Sequence, residues 1–217
     1  MQHLNGDVMC AVRTMKTSND PLFGELCEVC VIPLDQFFNN HQEFMLFNLK
    51  MRIENVKMID RKCCNYTQDE LASLQLRGAT KDTAAKLFRH WFNGLGLKYG
   101  KKLVPIGHQL HRDRVALGDW LGQSEFEEMF SDQQRDIENI ANFINDNHDV
   151  RAEPVPYAKQ SLTWIGSVHK VKKFEKSCLE EARQIAAVYQ KMVMLHLQPT
   201  LGILPQMVGE VQSEEAP

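Results

Sequence analysis

The sequence predicts an α/β domain in which a five-stranded mixed sheet is flanked by helices. Three strand-like apolar runs come first, at residues 8–13, 25–34 and 44–54, and loops containing Asn and Pro separate them. Helical spacing of apolar residues dominates the rest of the chain, with further short strands between the helices. The 217 residues are enough for one mixed domain with a full core.

The first half of the chain reads as strands followed by two helices. The three leading runs are rich in β-branched and large apolar residues, which predicts an antiparallel meander. Thr67-Gln68-Asp69-Glu70 is a capping box that predicts the start of a short helix. A longer amphipathic helix is predicted over residues 80–92, and a fourth strand over residues 103–106. The apolar face of that helix consists of Ala84, Leu87, Phe88, Trp91 and Phe92.

The next predicted helix carries a carboxylate on its apolar side. Leu110, Leu117 and Leu121 are spaced by seven and four residues and therefore mark a buried stripe. Asp113 falls on that stripe, three residues after Leu110 and four before Leu117. A carboxylate that faces a core must have a partner, so Asp113 is expected to be paired.

The last third of the chain predicts a short strand and three helices. The strand is expected near residues 128–131. The helices are expected around residues 137–144, over residues 161–168, and after the capping box formed by Ser177 and Glu180. A single domain is predicted over residues 1–197. Residues 198–217 contain Pro199, Gly202 and Pro205 and are expected to be extended or mobile.

The composition is that of an ordinary globular protein. Hydrophobic residues make up 43%, charged residues 24%, and the formal net charge is −3, so no overall basic excess indicates nucleic acid. No apolar run reaches transmembrane length, no signal peptide is visible, and a cytoplasmic protein with no membrane partner is expected. The oligomeric state is not predicted. Cys27 and Cys30 form a C-x-x-C, but at a separation of three within a strand they would face opposite sides of the sheet. Cys63-Cys64 lack the spacing of metal ligands, so the six cysteines are expected to be buried, reduced thiols.

Three stretches in order resemble the motifs of the DEDDh branch of the DEDD 3′–5′ exonucleases, a DnaQ-like group. Arg13-Thr14-Met15-Lys16 stands at the first-strand position where the family carries an Asp and, two residues on, a Glu. Gly107-His108-Gln109 followed by Asp113 is similar to the second motif, and Asp113 matches its metal ligand. Lys176 and Glu181 stand where the third motif has its general-base His and its metal-binding Asp. The resemblance implies a ribonuclease H-like sheet with strand order 3-2-1-4-5.

The same resemblance implies an altered active site. Two-metal hydrolysis needs several carboxylates around two cations, whereas Arg13 and Met15 occupy two ligand positions and Lys176 replaces the His. An Arg has no acceptor atom and stays protonated, so it cannot ligate a metal. Arg13 is therefore expected to take the place of the metal charge and to pair with Asp113, Glu181 or both. Neither a metal nor another cofactor is predicted.

Three functions remain open at this stage. The first is a catalytically impaired exonuclease-like protein that binds single-stranded nucleic acid or a protein partner, with DNA and RNA not distinguished. Its candidate nucleic-acid-binding residues are Arg112, Lys172, Lys173 and Lys176. The second is an active exonuclease that uses Mg²⁺ or Mn²⁺ and draws carboxylates from elsewhere, for which the candidates are Glu25, Glu28, Asp35 and Asp136. The third is a scaffold that uses the fold only as architecture.

Overall fold

Five strands form the central sheet of the computed structural model, which describes residues 4–18, 24–54, 59–60, 64, 66–173 and 177–197. Their bounds are β1 Val8–Lys16, β2 Leu26–Pro33, β3 Phe47–Lys50, β4 Leu103–Gly107 and β5 Arg135–Asp136. The strands lie in the order β3-β2-β1-β4-β5, which confirms the predicted order. Strand β1 runs antiparallel to β2 and parallel to β4, and β5 is parallel to β4. The carboxyl ends of β1 and β4 therefore meet at one end of the sheet.

Helices flank the sheet on both faces. Their bounds are α1 Gln68–Arg77, α2 Lys81–Gly94, α3 Leu110–Leu121, α4 Gln123–Met129, α5 Ile137–Val150, α6 Leu162–Val168 and α7 Cys178–Leu197. The capping box at α1 is confirmed, because Thr67 accepts from the backbone of Glu70 and the Glu70 side chain accepts from the Thr67 N–H. At α7 the Glu180 N–H donates to Ser177 Oγ at 3.2 Å. The predicted tail, residues 198–217, lies outside the described residues.

The alternation of side chains along β1 divides the core in two. Ala11 packs on one face with α7, in a cluster that includes Ile32, Ile106 and Ile185. The residues on either side of it, Cys10 and Val12, pack on the other face against α2 and α3. Because successive strand residues point to opposite faces, Arg13 lies on the α7 face of the sheet.

Two strand predictions need correction. Strand β3 covers only Phe47–Lys50 of the predicted 44–54. The strand expected near residues 128–131 is wrong, since α4 ends at Met129 and β5 is Arg135–Asp136. Phe126 and Met129, three residues apart, are both buried, which is the spacing of a helix face. Short apolar runs do not distinguish helix from strand, and the only strand-like feature here is an isolated bridge between Leu103 and Phe130.

The described cysteines, Cys10, Cys27, Cys30, Cys64 and Cys178, are buried and free, in agreement with the expectation of reduced thiols. None of the helices in the described part of the chain is both long and apolar enough to cross a membrane.

Candidate functional site

Arg13 lies near the carboxyl end of β1, where the start of α7 crosses the strand. Its backbone pairs with Cys30 on β2, and its carbonyl oxygen accepts a hydrogen bond from the Cys178 thiol at 3.0 Å. Cys178 is the first residue of α7, so this contact fixes the start of α7 over β1. Glu181 follows within the first turn of α7 and thereby reaches the Arg13 side chain.

The Arg13 guanidinium lies between two carboxylates. Its Nε donates to Oε2 of Glu181 at 2.6 Å, and its Nη1 lies 3.7 Å from Oδ2 of Asp113. The side chains of Arg13 and Glu181 are 29% and 23% exposed, whereas that of Asp113 is only 1% exposed. We call Arg13, Thr14, Asp113 and Glu181 the Arg13 site. The site therefore has a solvent-facing side at Arg13 and Glu181 and a buried side at Asp113.

Thr14 holds the buried carboxylate. Its backbone N–H and its hydroxyl both donate to Oδ1 of Asp113 at 2.7 Å. The other oxygen, Oδ2, accepts no hydrogen bond from the described residues and faces Arg13. Asp113 is thus oriented by β1 itself, with one oxygen satisfied and the other directed at the guanidinium.

Asp136 fixes the start of α3 and, with it, Asp113. Its carboxylate accepts from the backbone N–H of Leu110 at 2.7 Å and of Gln109 at 3.3 Å, and it also caps α5 by accepting from Glu138. Gln109 adopts a left-handed conformation with φ 56°. A Cβ at Gly107 would lie 2.6 Å from the Leu110 side chain, so this tight entry into α3 requires Gly at 107.

Burial and charge act in opposite directions on the ionisation of the Arg13 site. Burial raises the pKa of Asp113, and this effect outweighs the opposing effects of Arg13 and Thr14. Burial by itself would lower the pKa of Arg13, but the charges of Asp113 and Glu181 raise it overall. Arg13 therefore stays charged, and its contacts with the two carboxylates are charge-assisted.

Met15 shares the strand face of Arg13 but not its polar surroundings. It is buried in an apolar cluster with Ile53, Tyr66 and Leu71. Its cross-strand neighbour on β2 is Glu28. The position that the resemblance matches to the second first-strand ligand therefore carries a packed thioether, which is a weak acceptor and not a ligand for hard cations.

Glu28 is a buried carboxylate that sequence reasoning placed only among the alternatives. Tyr66 donates its hydroxyl to Glu28, and the backbone N–H of Cys178 and the side chain of Asn48 also bond to it. Burial nevertheless raises the pKa of Glu28. Glu28 lies against the first residue of α7, where the helix dipole favours a carboxylate. Its hydrogen-bond donors therefore give Glu28 a structural role at the start of that helix.

The other alternative carboxylates are engaged elsewhere. Glu25 accepts from the backbone of Glu54 at 2.8 Å, and Asp35 accepts from Phe37 and Asn39 within a turn after β2. Asp136 caps α3 and α5. In the described ranges, no group of three or more His, Cys, Asp or Glu side chains converges to hold a metal ion. The donor set at the Arg13 site, two carboxylates already facing a guanidinium, does not fit a two-metal centre.

The predicted nucleic-acid-binding cations have different outcomes. Arg112 is exposed in the first turn of α3, directly before Asp113. Lys172 and Lys173 are exposed on the segment between α6 and α7. Lys176 lies outside the described residues, so its role in binding nucleic acid stays a prediction. The nucleic-acid roles of Arg112, Lys172 and Lys173 also stay predictions, since geometry alone does not test them.

Comparison with known proteins bears on the fold. No family model matches the sequence, and no curated protein sequence matches it. Solved structures do match: cell-death related nuclease 4 (CRN-4) has a TM-score of 0.63 at 15% identity, over 87% of this chain and 64% of that one. The nuclease domain of 3′hExo, a DEDDh family member bound to rAMP, has a TM-score of 0.56 at 15% identity, over 88% and 92%. This chain has the fold of the DEDDh exonucleases.

Exonuclease I of E. coli, in complex with a 5cy-dA13 oligonucleotide, matches with a TM-score of 0.63 at 10% identity, over 87% of this chain and 40% of that one. The chain thus spans less than two thirds of the length of CRN-4 and of exonuclease I. At these identities the likeness concerns the fold, and the ribonuclease H-like architecture expected from the motifs is confirmed.

Proposed function

We propose that this protein binds single-stranded nucleic acid and does not hydrolyse it. The observation that carries the proposal is the guanidinium of Arg13, which contacts Glu181 and faces Asp113 where a metal-dependent nuclease needs cations. One fixed positive charge between two carboxylates leaves little electrostatic demand for a divalent ion. Without metals, neither the activation of water nor the stabilisation of the leaving oxygen is supplied.

Nucleic-acid binding is supported by exposed cations beside Asp113 and shortly before α7. Arg112 is exposed beside Asp113, and Lys172 and Lys173 are exposed shortly before α7. In the sequence, Lys176 adds a further cation five residues before Glu181. Clustered cations bind phosphates with release of counterions, so a basic patch can bind nucleic acid even on a protein of net charge −3.

The absence of hydrolysis is tested directly. Purified protein incubated with labelled single-stranded DNA and RNA plus Mn²⁺ is expected to leave both substrates intact, because two first-strand ligands and the general-base His of the family are missing. The matched control is Asp113→Ala, which removes the one carboxylate that coincides with the family pattern in type and position. If the parent degrades either substrate and Asp113→Ala abolishes this degradation, the site is catalytically active and the proposal is contradicted.

Binding is tested by fluorescence anisotropy with a short labelled oligonucleotide at about 50 mM salt. We expect the parent to bind with an affinity that falls steeply as salt rises. Lys172→Glu combined with Lys173→Glu should weaken binding and lower the salt slope by about 1.4, at about 0.7 for each phosphate that the lysines no longer neutralise. Lys98→Glu combined with Lys101→Glu is the matched control, since these lysines precede β4 at the opposite end of the sheet.

Two results would contradict the proposed binding of nucleic acid near α7. An absence of binding at about 50 mM salt would favour a protein partner over nucleic acid. Equal losses in the two charge-reversed variants would mean that the nucleic-acid surface does not lie near α7. Either outcome would leave the fold and the proposed absence of hydrolysis unaffected, because neither depends on the ligand.

A further inference from the structure

One of the three tryptophans differs from the others in what its indole does. Trp91 donates its Nε1–H to the carbonyl of Met45 at 2.7 Å, and Trp120 donates to the carbonyl of Lys81 at 3.1 Å. Trp164 is 38% exposed, and its indole N–H has no acceptor among the residues that the structure describes. Tryptophans usually satisfy the N–H when they pack into a protein, so Trp164 presents both an apolar ring and an unused donor to the surface.

A cation accompanies this exposed ring. The Nζ of Lys159 lies 5.3 Å from the centroid of the Trp164 ring, within the range of a cation–π contact. Lys159 is itself exposed and forms no ion pair with any described residue. The ammonium therefore lies over one face of the Trp164 ring, and the exposed Lys159 side chain can leave that face when a ligand binds.

The pair is attached to the end of the sheet that carries the Arg13 site. His108 lies between β4 and α3, five residues before Asp113, and its Nε2 lies 2.6 Å from the carbonyl oxygen of Gln160. Because a carbonyl only accepts, His108 carries the proton on Nε2 and donates it. Ser161 follows Gln160 and caps α6, because its Oγ accepts a hydrogen bond from the backbone N–H of Trp164 at 3.3 Å. Trp164 is thus in the first turn of a helix whose start is bonded to the loop that leads into α3.

The segment before α6 is held in place by further hydrogen bonds. The Gln160 side chain donates to Asn142 on α5 at 2.7 Å. Asn145, one turn further along α5, donates to the Tyr157 carbonyl at 2.8 Å and accepts from the Tyr157 N–H at 3.1 Å. A surface fixed in this way binds a ligand with a smaller loss of conformational entropy than a free loop does.

We infer that Trp164 stacks on a base of single-stranded nucleic acid and that Lys159 binds an adjacent phosphate. Base stacking on an exposed aromatic ring combined with nearby cations is how proteins bind single strands without reading their sequence. The inference rests on the proposed function and adds to it a stacking residue outside the motifs that resemble the exonuclease family. A protein partner is less favoured, because lysine residues are depleted in protein–protein interfaces.

The test compares two ligands and two ring-removing variants. The ligands are a short single-stranded oligonucleotide and one of the same length with abasic sites, both measured by fluorescence anisotropy. Trp164→Leu is expected to bind the intact oligonucleotide between about 5-fold and about 150-fold more weakly than the parent, whereas Trp164→Phe, which keeps an aromatic face, should be weakened less. On the abasic oligonucleotide, which retains its phosphates, the parent and Trp164→Leu should bind equally.

The matched control is Tyr99→Leu, because Tyr99 is a fully exposed ring in the loop that precedes β4, at the opposite end of the sheet. It should bind both ligands like the parent. If the parent binds the intact oligonucleotide and Trp164→Leu binds it equally well, or if Tyr99→Leu is weakened as much, the stacking role is wrong while the proposed function stands. If the parent does not bind at all, both fail together. Thermal melting of each variant shows whether a fall in affinity reflects a loss of folded protein.

Discussion

Arg13→Met will lower the free energy of unfolding by about 3–5 kcal/mol at pH 7, the usual cost of leaving a buried charge without its partner. Asp113 is 1% exposed and its Oδ2 faces only the Arg13 guanidinium among the described groups. Because Arg13 is 29% exposed and Glu181 can turn toward water, the lower end of this range is expected. For a domain of about 200 residues the change corresponds to a fall in Tm of roughly 6–20 °C.

A triple variant separates the charge from the packing. Arg13→Met combined with Asp113→Asn and Glu181→Gln keeps the shapes but removes every charge, and it should recover most of the lost stability. Asn at position 113 can keep its oxygen toward the two donors of Thr14 and place its amide where Oδ2 accepts no described hydrogen bond. Thermal melting of the three proteins is the measurement. Arg13→Met melting at the temperature of the parent at pH 7 would show that the pairing contributes nothing.

The strand order was predictable because two kinds of signal agreed. Apolar periodicity is local, and it located β1, β2, α2 and α7 to within a few residues. The order of the sheet is not local, and it was implied by the resemblance of the motifs around Arg13, Asp113 and Glu181 to those of the DEDDh exonucleases. The failure near residues 128–131 shows the limit of periodicity, because Phe126, Met129 and Phe130 fit a short strand as well as a helical turn.

The contacts within the Arg13 site were only partly accessible to sequence reasoning. That Arg13 would lie near Asp113 and Glu181 followed from matching motif positions, and the structure brings the three together. The support from Thr14 depends on the approach of α3 to β1. The burial of Glu28 opposite Met15 depends on the register between β1 and β2. Neither distance nor register is encoded in a residue pattern.

The exposed indole of Trp164 could not be predicted from the sequence for a different reason. All three tryptophans lie in helical patterns, and nothing in the sequence separates the one whose indole has no acceptor among the described residues from the two that donate to backbone carbonyls. The distinction comes from tertiary neighbours: Met45 and Lys81 reach Trp91 and Trp120, whereas Trp164 is on the outer side of a short helix. The sequence offered no aromatic platform for nucleic acid, and the structure supplies a candidate.

Arg13→Asp will convert the Arg13 site into one that responds to divalent metal. The change brings a third carboxylate to Asp113 and Glu181 and removes the cation that faces them. Without metal, repulsion among like charges should destabilise Arg13→Asp more than Arg13→Met. With Mn²⁺, which carboxylates bind well, the variant should regain stability, by about 2.7 kcal/mol when the free ion is at 100 times its Kd.

The parent provides the contrast that makes this experiment decisive. Its guanidinium already neutralises the carboxylates, so Mn²⁺ should leave its Tm unchanged. Arg13→Asn is the matched control, because it has the size of Asp without the charge, and any rise in its Tm with Mn²⁺ should be the smaller. Equal melting of Arg13→Asp with and without Mn²⁺ would show that Arg13 does not stand in the place of a metal. A rise in the Tm of the parent itself would favour the active, metal-dependent enzyme instead, since an ion stabilises a protein only by binding to its folded state.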